Sequence, residues 1–570
     1  MNISTKKQVI IENFALLFVS IIIGLIVSGV AQILIIAAQN LFEQLFLNPN
    51  FTVNFNIFGY KLNLIPLMIC LPASILVGYL LYITKLPRWF GPADTIYAAH
   101  NKAGKLNLKG GFTSTLASLI SISGGASVGI YGPLVHFGAT ISSFLRRLKF
   151  MPKIQHDIII GSGVAAAISA GFGAPIAGII FAHETVLRHF SLKAITSIAL
   201  SSITANYAAY KIGIVSPPLL MNNLEFEFSD IVIALLIIGP LAALVAISFM
   251  KSMIFVSSIP KKFNISLWTA PVIAGLLCGI IGLFLDEVLG LGTETVLSII
   301  TTNIDLSFLI ILLVGKLFLT SCCIGLGFFG GTFSPALFLG AIVGAVVYNF
   351  NFFDFELNHL SVLAVAGMAS VASSVIGAPI TAIILVLELT GSYEYSIASI
   401  VPISICTFLT SRVFGNSFFD RQLLSRGIDI SKGREQILLN EINIVNYASK
   451  KFTRISEKMF TKASINLLLK NKDTEGYVLS KKDTFIGKIR LIDIIDKKNQ
   501  QITNFLQNKP IILDSNISLL DAIKKLSNFV GESIPIIDKN DKKFIGIISE
   551  NDVLAAYLEI SDDINNIEKN

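Results

Sequence analysis

The chain has 570 residues, of which 53% are hydrophobic and only 14% are charged. This balance excludes an ordinary soluble protein of this size and indicates an integral membrane protein surrounded by lipid. The formal net charge of +7 is typical of basic segments that flank membrane spans, so we expect no nucleic-acid partner.

The N-terminal part of the chain predicts two ordinary membrane spans followed by interrupted ones. Residues 14–38 form an apolar run that is too long for a signal-peptide core and is expected to be a retained span. Lys6 and Lys7 precede this run and predict a cytoplasmic N-terminus. A second span is predicted over residues 64–83, and the apolar pieces after it are short and broken by glycine. Such irregular backbone is tolerated at membrane depth only within protein or beside a water-filled cavity.

The central motif of the first half lies within residues 124–139, which read GGASVGIYGPLVHFGA. Proline is tolerated in the first turn of a helix, so a helix is predicted to begin near Pro133. Gly129 and Gly132 allow the backbone to approach a bound species closely, and the free N–H groups of a helix start suit an anion. On its own, the motif is better explained as a helix break with small residues for close packing.

A second copy of the motif changes this interpretation. Gly331 begins GTFSP, 202 positions after Gly129 begins GIYGP (331 − 129 = 202). Another pair, GAPIAGIIFAHE ending at Glu184 and GAPITAIILVLE ending at Glu388, keeps nearly the same offset. The two ordered pairs predict two related halves, and breaks at corresponding places in both halves point to an ion site within the membrane. The residues alone leave open whether the halves are inverted or parallel.

The second half predicts further spans, one of which contains a charged residue. The long span is at residues 231–256, and Lys316 lies in a later apolar run at residues 306–319. A lysine in such a run marks either a functional site or a side chain that extends to the membrane interface. We prefer the second explanation.

The C-terminal part of the chain predicts a separate region outside the membrane. Residues 429–450 are polar and mixed in charge, and are predicted to be a linker. Residues 451–570 contain no spanning segment but do contain a repeat, because FIGKIRLID from Phe485 to Asp493 recurs as FIGIISEND from Phe544 to Asp552. Each copy predicts strand, turn, strand and helix, so this region is expected to be a pair of small α/β modules.

Together these motifs resemble those of the CLC family of chloride channels and chloride/proton exchangers. GIYGP, GTFSP, GAPIAGIIFAHE and SFFD, which ends at Asp420, occur in the family's order, and the tail looks like the paired CBS domains of many members. The resemblance implies an all-α polytopic membrane domain over residues 1–428, built as an inverted repeat of tilted, broken helices, with a C-terminal α/β CBS pair. It also implies a homodimer with one anion pathway per subunit and both termini in the cytoplasm.

The resemblance also assigns an anion site. Matching the motifs places residues 130–132 at an outer site and gives the backbone N–H groups of Thr332 and Phe333 to a central site. Phe419 takes the position of the family's central tyrosine, whose hydroxyl contacts the anion. The anion-binding residues implied in this way are Gly129, Ile130, Tyr131, Gly132, Pro133, Gly331, Thr332, Phe333 and Phe419.

The departures from the family pattern predict the mechanism. The family's gating glutamate is Tyr131 here, its inner proton-transfer glutamate is Thr185, and its central tyrosine is Phe419. Residues 88–94, which match a serine-bearing family motif, contain no serine. Tyrosine has an ordinary pKa of about 10 and threonine does not titrate, so neither couples anions to protons near neutral pH. We therefore predict passive chloride conduction, gated by Tyr131, across a cell (plasma or inner) membrane, with no required cofactor or metal.

The loss of hydroxyl groups has a second consequence. Two side-chain donors are missing from the central site, and each neutral hydrogen bond contributes roughly 0.5–1.5 kcal/mol. A weaker site favours conduction, because ions must leave as well as enter. It also allows a changed preference among small anions.

Two other functions stay open. Glu184 is adjacent to the lost acid, so it is a candidate for proton-coupled chloride exchange, although its counterpart Glu388 favours a shared structural role at a helix end. Alternatively, Tyr131 fills the path permanently and the chain is a non-conducting membrane regulator that acts through its CBS pair. An enzyme is not expected, because we find no nucleophile–base pair, metal cluster or phosphate-binding loop.

The CBS pair raises a separate question, since such pairs in this family often bind adenine nucleotides. Asp493 and Asp552 match the aspartate that contacts the ribose, and Ser549 matches the small hydroxyl residue three positions earlier. Arg490 replaces that residue in the first module. We favour a structural dimerisation tail over an adenine-nucleotide site at these residues.

Overall fold

The computed structural model describes residues 3–47, 54–57, 60–101, 106–148, 155–212, 227–350, 355–507, 510–527, 529 and 532–569. The chain divides into two compact units, Met1–Ile428 and Asp429–Asn570. We call the first the membrane unit and the second the C-terminal unit. Each unit has its own secondary structure and is described by itself.

The membrane unit is helical over most of its described length. Its α-helices are α1 (Ile3–Phe42), α2 (Ile65–Thr84), α3 (Pro92–His100), α4 (Leu108–Ser123), α5 (Tyr131–Arg146), α6 (His156–Phe172), α7 (Pro175–Phe181), α8 (Leu192–Ile212), α9 (Phe228–Lys262), α10 (Ala270–Gly282), α11 (Thr293–Thr301), α12 (Leu306–Leu326), α13 (Phe333–Tyr348), α14 (Leu357–Ile376), α15 (Pro379–Thr390), α16 (Tyr393–Val413) and α17 (Phe418–Leu424). Two π-helical turns, Glu43–Leu47 and Ala182–Leu187, follow α1 and α7 directly. Strands β1 (Asn54–Ile57) and β2 (Tyr60–Asn63) form an antiparallel hairpin between α1 and α2.

This unit contains both full-length and shorter apolar helices. Six described segments are long and apolar enough to cross a membrane: Phe14–Leu47, Ile65–Thr84, Phe228–Lys262, Leu306–Leu326, Leu357–Ile376 and Tyr393–Leu424. Shorter apolar helices lie between them, and one of these, α6, is buried along nearly its whole length. Protein therefore surrounds α6, which ends at a break in the helical backbone, and irregular backbone at membrane depth requires such surroundings. This arrangement confirms the predicted all-α polytopic fold.

The two halves of the membrane unit repeat the same packing. α5 packs on α6 in the first half, and α13 packs on α14 in the second. A Cβ atom on Gly138 of α5 would collide with the carbonyl oxygen of Gly163 on α6. A Cβ atom on Gly340 of α13 would collide with that of Gly367 on α14 in the same way. Both crossings require glycine, at positions separated by the same offsets as the sequence motifs.

Lys316 on α12 is fully buried, so the predicted extension of its side chain to the interface is wrong. Its Nζ donates to the backbone carbonyls of Val288 at 3.0 Å and Gly290 at 3.1 Å, and lies 4.8 Å from the ring centre of Phe338. The segment between α10 and α11 supplies these carbonyls. The ammonium group therefore finds its acceptors inside the protein, which is the condition under which a buried cation is tolerated.

The C-terminal unit contains two modules of similar topology. Its helices are α18 (Gly433–Glu441), α19 (Thr461–Asn471), α20 (Leu491–Ile494), α21 (Leu519–Leu526) and α22 (Glu550–Lys569). Its strands are β3 (Thr453–Ser456), β4 (Glu475–Leu479), β5 (Phe485–Arg490), β6 (Leu513–Asp514), β7 (Ser533–Ile537) and β8 (Phe544–Ser549). The sheet orders are β3-β4-β5 and β6-β7-β8, each with a parallel pair followed by an antiparallel pair. The repeated order confirms the predicted pair of α/β modules.

The segment 429–450 belongs to the second module, so its prediction as a separate linker is corrected. It contains α18, and Leu438, Leu439 and Ile444 are buried in the same core as Leu519 and Ile534. Ile442 and Val445 of this polar stretch also pack against that core. Their spacing is too sparse for the sequence alone to distinguish a packed helix from a linker.

The contact between the two modules is aromatic with one buried ion pair. Tyr477 of β4 and Phe544 of β8 are buried together, with ring centres 5.5 Å apart. Beside them, Nζ of Lys488 lies 2.6 Å from Oε2 of Glu475 and also donates to the carbonyl oxygen of Ser533 at 2.7 Å. The pair is almost inaccessible to water. Separation of the two modules would therefore remove hydrogen-bond partners from buried charged groups.

Candidate anion site

The two central motifs meet at the starts of α5 and α13. The N–H of Gly129 donates to the carbonyl oxygen of Gly331 at 2.8 Å, and the N–H of Gly331 donates to that of Gly129 at 2.5 Å. These hydrogen bonds form an isolated antiparallel bridge, so the motifs run in opposite directions, as an inverted repeat requires. Directly after the bridge, α5 begins at Tyr131, two residues before the predicted start, and α13 begins at Phe333.

The first turns of both helices carry backbone N–H groups that an α-helix cannot satisfy itself. Pro133 and Pro335 each occupy the third helical position and lack an N–H group. The N–H groups of Tyr131 and Phe333 have no backbone acceptor among the described residues. Two neighbouring helix starts with unused N–H groups create a positive potential that suits an anion.

Gly331 has no room for a side chain at this junction. A Cβ atom there would lie 2.6 Å from the backbone nitrogen of Gly132. We expect Gly331→Ala to push the helix starts apart and to lower chloride flux in proteoliposomes by about tenfold, since overpacking costs roughly 1–3 kcal/mol. Gly29→Ala is the matched control, because a Cβ atom on Gly29 meets no described atom within 4 Å. Equal flux from the two variants would contradict this expectation.

A small cavity lies where the first turns of several helices converge. Pro92, Tyr131, Phe333 and Phe419 line it from the first turns of α3, α5, α13 and α17, and Thr332 lines it from the residue before α13. The open space is about 30 Å³, enough for about two water molecules. The structure therefore brings together the central members of the predicted site.

The remaining predicted residues lie around this cavity rather than all within it. Gly132 also lines the small cavity, and Gly129 and Gly331 form the bridge beside it. Ile130 and Pro133 line a different small space, together with residues of α4. The structure thus separates these two from the site that the motifs predict.

Three aromatic rings close the small cavity. Tyr131 stacks on Phe172, with ring centres 3.6 Å apart and planes 18° apart. Its ring centre is 6.0 Å from that of Phe333, at an interplanar angle of 84°, and Phe172 is 5.2 Å from Phe333. We call Tyr131, Phe172 and Phe333 the ring cluster. The sequence analysis misses Phe172, although it ends α6 directly before the GAPIAGIIFAHE motif.

A larger cavity of about 250 Å³ adjoins the small one. Pro92, Thr332 and Phe419 line both cavities, so they mark the junction. The charged residues in the wall of the larger cavity are Arg88, Asp94, Lys261 and Arg426. With three cations and one carboxylate, the wall attracts anions toward the junction.

Asp94 is shared between two of these cations. Arg88 donates to its carboxylate at 2.5 and 2.8 Å, and Arg426 donates to it at 3.0 Å. The same carboxylate accepts from the N–H of Gly91 at 3.0 Å and so caps the start of α3. Its negative charge is therefore neutralised locally, and the wall stays positive. Arg426 was not predicted, because it lies in a polar stretch beyond the SFFD motif.

The start of α3 and the start of α17 contribute no side-chain hydroxyl to the junction. The N–H of Phe90 donates to Oγ of Ser114 at 2.9 Å, and that of Gly91 donates to Asp94, so both are already satisfied. Phe419 contributes a buried ring. These positions match the predicted absence of the family's two central hydroxyl groups.

The two glutamates of the second motif pair cap each other's helices. The carboxylate of Glu184 accepts from the N–H groups of Ile380 at 2.9 Å and Thr381 at 2.8 Å, at the start of α15. The carboxylate of Glu388 accepts from Ile176 and Ala177, both at 2.8 Å, at the start of α7. This exchange is a consequence of the inverted repeat and gives both glutamates a structural role.

Thr185 lies beside Glu184 in the π-helical turn and is buried. Its Oγ1 has no hydrogen-bond partner in the part of the chain that the structure describes. The predicted position of the lost proton-transfer acid is therefore an enclosed site occupied by a group that cannot titrate.

The predicted nucleotide-binding residues are engaged within their own modules. Arg490 donates to the carboxylate of Asp493 at 2.9 and 3.1 Å. Ser549 donates from N and Oγ to Asp552 at 2.9 and 2.7 Å at the start of α22. These contacts give both aspartates a role in local structure.

Comparison with known proteins agrees with this architecture. The family model described as voltage gated chloride channel matches residues 73–413, more than half of the chain, and that of the CBS domain matches residues 502–559. The H(+)/Cl(-) exchange transporter ClcA of Vibrio parahaemolyticus is 28% identical over 334 residues, which cover 56% of this chain and 70% of that protein. Chloride channel protein CLC-e of Arabidopsis thaliana is 30% identical over 329 residues, which cover 53% of this chain and 46% of that protein.

Solved structures share the fold. A slow cyanobacterial Cl-/H+ antiporter superposes with a TM-score of 0.62 at 21% identity, covering 72% of this chain and 98% of that chain. A eukaryotic CLC transporter has a TM-score of 0.62 at 15% identity and covers 95% of this chain and 98% of that chain. With the family match and the inverted pair of helix starts, these findings identify the chain as a member of the CLC family of anion-transporting membrane proteins, with CBS modules at its C-terminus.

Proposed function

We propose that this chain conducts chloride passively, without moving protons in exchange. Tyr131 carries the proposal, because it lies between the two helix starts with a side chain that ordinarily stays neutral at physiological pH. The residues that line the small cavity include no acid among those described. ClcA and the cyanobacterial neighbour bear names that describe proton-linked transport, whereas the positions that match the family's two coupling glutamates are Tyr131 and Thr185 in this chain.

Glu184 is a poor substitute for the missing acids. Both of its carboxylate oxygens accept hydrogen bonds at the start of α15, including one from Oγ1 of Thr381 at 2.7 Å. These contacts support a structural role for Glu184 at the start of α15 rather than a role as a proton carrier.

We further propose that the larger cavity opens toward the cytoplasm of a cell membrane. With a cytoplasmic N-terminus, α1 and α2 cross the membrane in opposite directions. The end of α2 then lies on the cytoplasmic side, as the start of α1 does. Lys109 donates to the carbonyl oxygen of Thr84 at 3.1 Å, and Arg147 donates to that of Leu106 at 2.8 Å, so basic residues cluster at this end. Positive charge on the cytoplasmic side is the usual arrangement. The C-terminal unit is then cytoplasmic as well.

Flux measurements in proteoliposomes test the lack of proton coupling. We expect a chloride gradient to drive no proton movement, and chloride flux to change by less than about twofold between pH 5 and 8, because no group in the small cavity titrates there. ClcA is the matched control, since its name describes exchange. Proton movement driven by chloride in this chain would contradict the proposal and support exchange.

A second candidate function is favoured by the ring cluster. The stacking of Tyr131 on Phe172 leaves little open space between the helix starts. A chain locked in this conformation would be a non-conducting regulator. The chloride flux of Tyr131 variants distinguishes a ring that moves out of the path from one that stays fixed in it.

We propose a homodimer in which apolar residues on α7 and α15 face the second copy. Ile176 and Ile380 are each about half exposed. Each lies at a helix start that a glutamate caps, so the exposed side chain belongs to an ordered part of the helix. Light scattering in detergent is expected to give the protein mass of two chains. The mass of one chain, with chloride flux retained, would contradict the dimer.

A further inference from the structure

The helices whose first turns line the small cavity carry two carboxylates, and arginine neutralises both. The acidic residues of α3, α5, α13 and α17 are Asp94 on α3 and Asp420 on α17. Asp94 is paired with Arg88 and Arg426. Asp420 is paired with Arg188, whose guanidinium group donates to Oδ1 of the carboxylate. An anion at the small cavity therefore meets no unpaired carboxylate from these four helices, which are described over their whole length.

The pair of Arg188 and Asp420 is largely shielded from water, with side chains that are 25% and 17% exposed. Oδ2 of Asp420 is buried and has no hydrogen-bond partner among the described residues, so Arg188 supplies the charge that balances this carboxylate. Asp420 directly follows Phe419, which lines both the small and the larger cavity. Salt screens partly buried charges much less than exposed ones. Without Arg188, the charge of Asp420 would therefore act on an anion at the junction.

Arg188 occupies a backbone position that favours glycine. It follows the π-helical turn Ala182–Leu187 with φ of 59°, in the left-handed region. In the second half, α15 ends in the same conformation at Gly391, with φ of 66°. Glycine adopts this conformation without the steric strain that a side chain adds. An arginine at this place is therefore unfavourable for the backbone, which points to a requirement for its side chain.

We propose that Arg188 serves transport by neutralising Asp420, so that the carboxylate next to Phe419 does not repel chloride at the junction. The inference rests on the proposed function, because it requires that chloride occupies the junction of the two cavities. Arg188 and Asp420 are not among the described residues that line either cavity, so the effect acts through charge rather than contact. A purely structural ion pair would instead hold α17 in place, and loss of either partner would then have the same consequence.

Chloride binding to the purified full-length protein, measured by calorimetry with sodium chloride, distinguishes charge from structure. Arg188→Gln leaves an unpaired carboxylate, and we expect about fivefold weaker binding, because partly buried like charges repel over several ångströms. Asp420→Asn leaves an unpaired guanidinium group and is expected to tighten binding, by up to about fivefold. The double variant removes both charges and is expected to bind within about twofold of the original protein.

Two further variants control for folding and for charge in general. Arg188→Lys keeps the charge and is expected to bind chloride within about twofold of the original protein. Arg421→Gln removes a cation from the residue after Asp420, but Arg421 is exposed and donates to the carbonyl oxygen of Phe414. Water and salt screen such a charge, so we again expect a change of less than about twofold. Size-exclusion profiles establish that each variant is folded.

Opposite effects of the two single variants, with recovery in the double variant, would support the inference. Weaker binding in both single variants without recovery in the double variant would show a structural pair and overturn it, as would unchanged binding in Arg188→Gln. Flux measurements test the proposed function separately. Proton movement driven by chloride would overturn passive conduction and leave the charge effect standing, whereas absence of chloride binding and flux in the original protein would overturn both.

Discussion

Tyr131→Ala is expected to raise chloride flux by at least about tenfold in proteoliposomes. The tyrosine ring stacks on Phe172 and meets the edge of Phe333 in the wall of the small cavity. An aromatic pair contributes about 0.5–1.5 kcal/mol beyond the burial of its area, and a bias of 1.4 kcal/mol toward the closed arrangement corresponds to tenfold in population. Alanine removes both the obstruction and the bias.

Tyr131→Phe is the matched variant, because it keeps the ring and removes only the hydroxyl. We expect its flux to remain within about twofold of the original protein if the ring itself obstructs the path, since the ring contacts provide most of the closing energy. Size-exclusion profiles establish that each variant is folded. A folded alanine variant whose flux is unchanged would show that Tyr131 does not limit conduction, and one with no flux would favour a pathway that is closed elsewhere.

Glu184→Ala is expected to lower the stability of the membrane unit by roughly 2–4 kcal/mol without creating or removing proton coupling. The change leaves the N–H groups of Ile380 and Thr381 without their charged acceptor. Thermal unfolding in detergent measures the loss, and proton movement under a chloride gradient measures the coupling.

Glu388→Ala provides the matched control through the repeat. Its carboxylate makes the equivalent contacts to Ile176 and Ala177 at the start of α7, so a purely structural role predicts a similar loss of stability. A large loss in one variant only would contradict the equivalence of the two caps. Chloride-driven proton movement that disappears only in the Glu184 variant would support the exchanger.

The sequence predicts the site best where a motif occurs twice along the chain. Gly129 and Gly331 mark the two helix starts because each is followed by a proline four residues later, and the nearly equal offsets of the two motif pairs indicate that the breaks correspond. Phe172 and Arg426 could not be predicted, since nothing in their local sequence distinguishes them from packing or surface residues. They reach the site only through the convergence of helices that are distant in the chain.

Two of the predictions that the structure corrects have a common physical origin. Lys316 has the pattern of a lysine that extends to the membrane interface, but Val288 and Gly290 supply carbonyl acceptors from a distant segment. Residues 429–450 have the composition of a linker, but Leu438 and Leu439 of α18 are enough to dock it on a core made elsewhere. In both cases the local pattern is correct and a tertiary partner overrides it.

The bridge between Gly129 and Gly331 limits how the pathway opens. Because each residue donates to the other, movement of one motif relative to the other would break both hydrogen bonds, so the two helix starts are expected to move together. Widening of the pathway is then expected to arise from reorientation of aromatic side chains. Such a motion is fast and local in comparison with domain rearrangement. Open and shut conformations of this protein should accordingly share nearly the same main-chain trace.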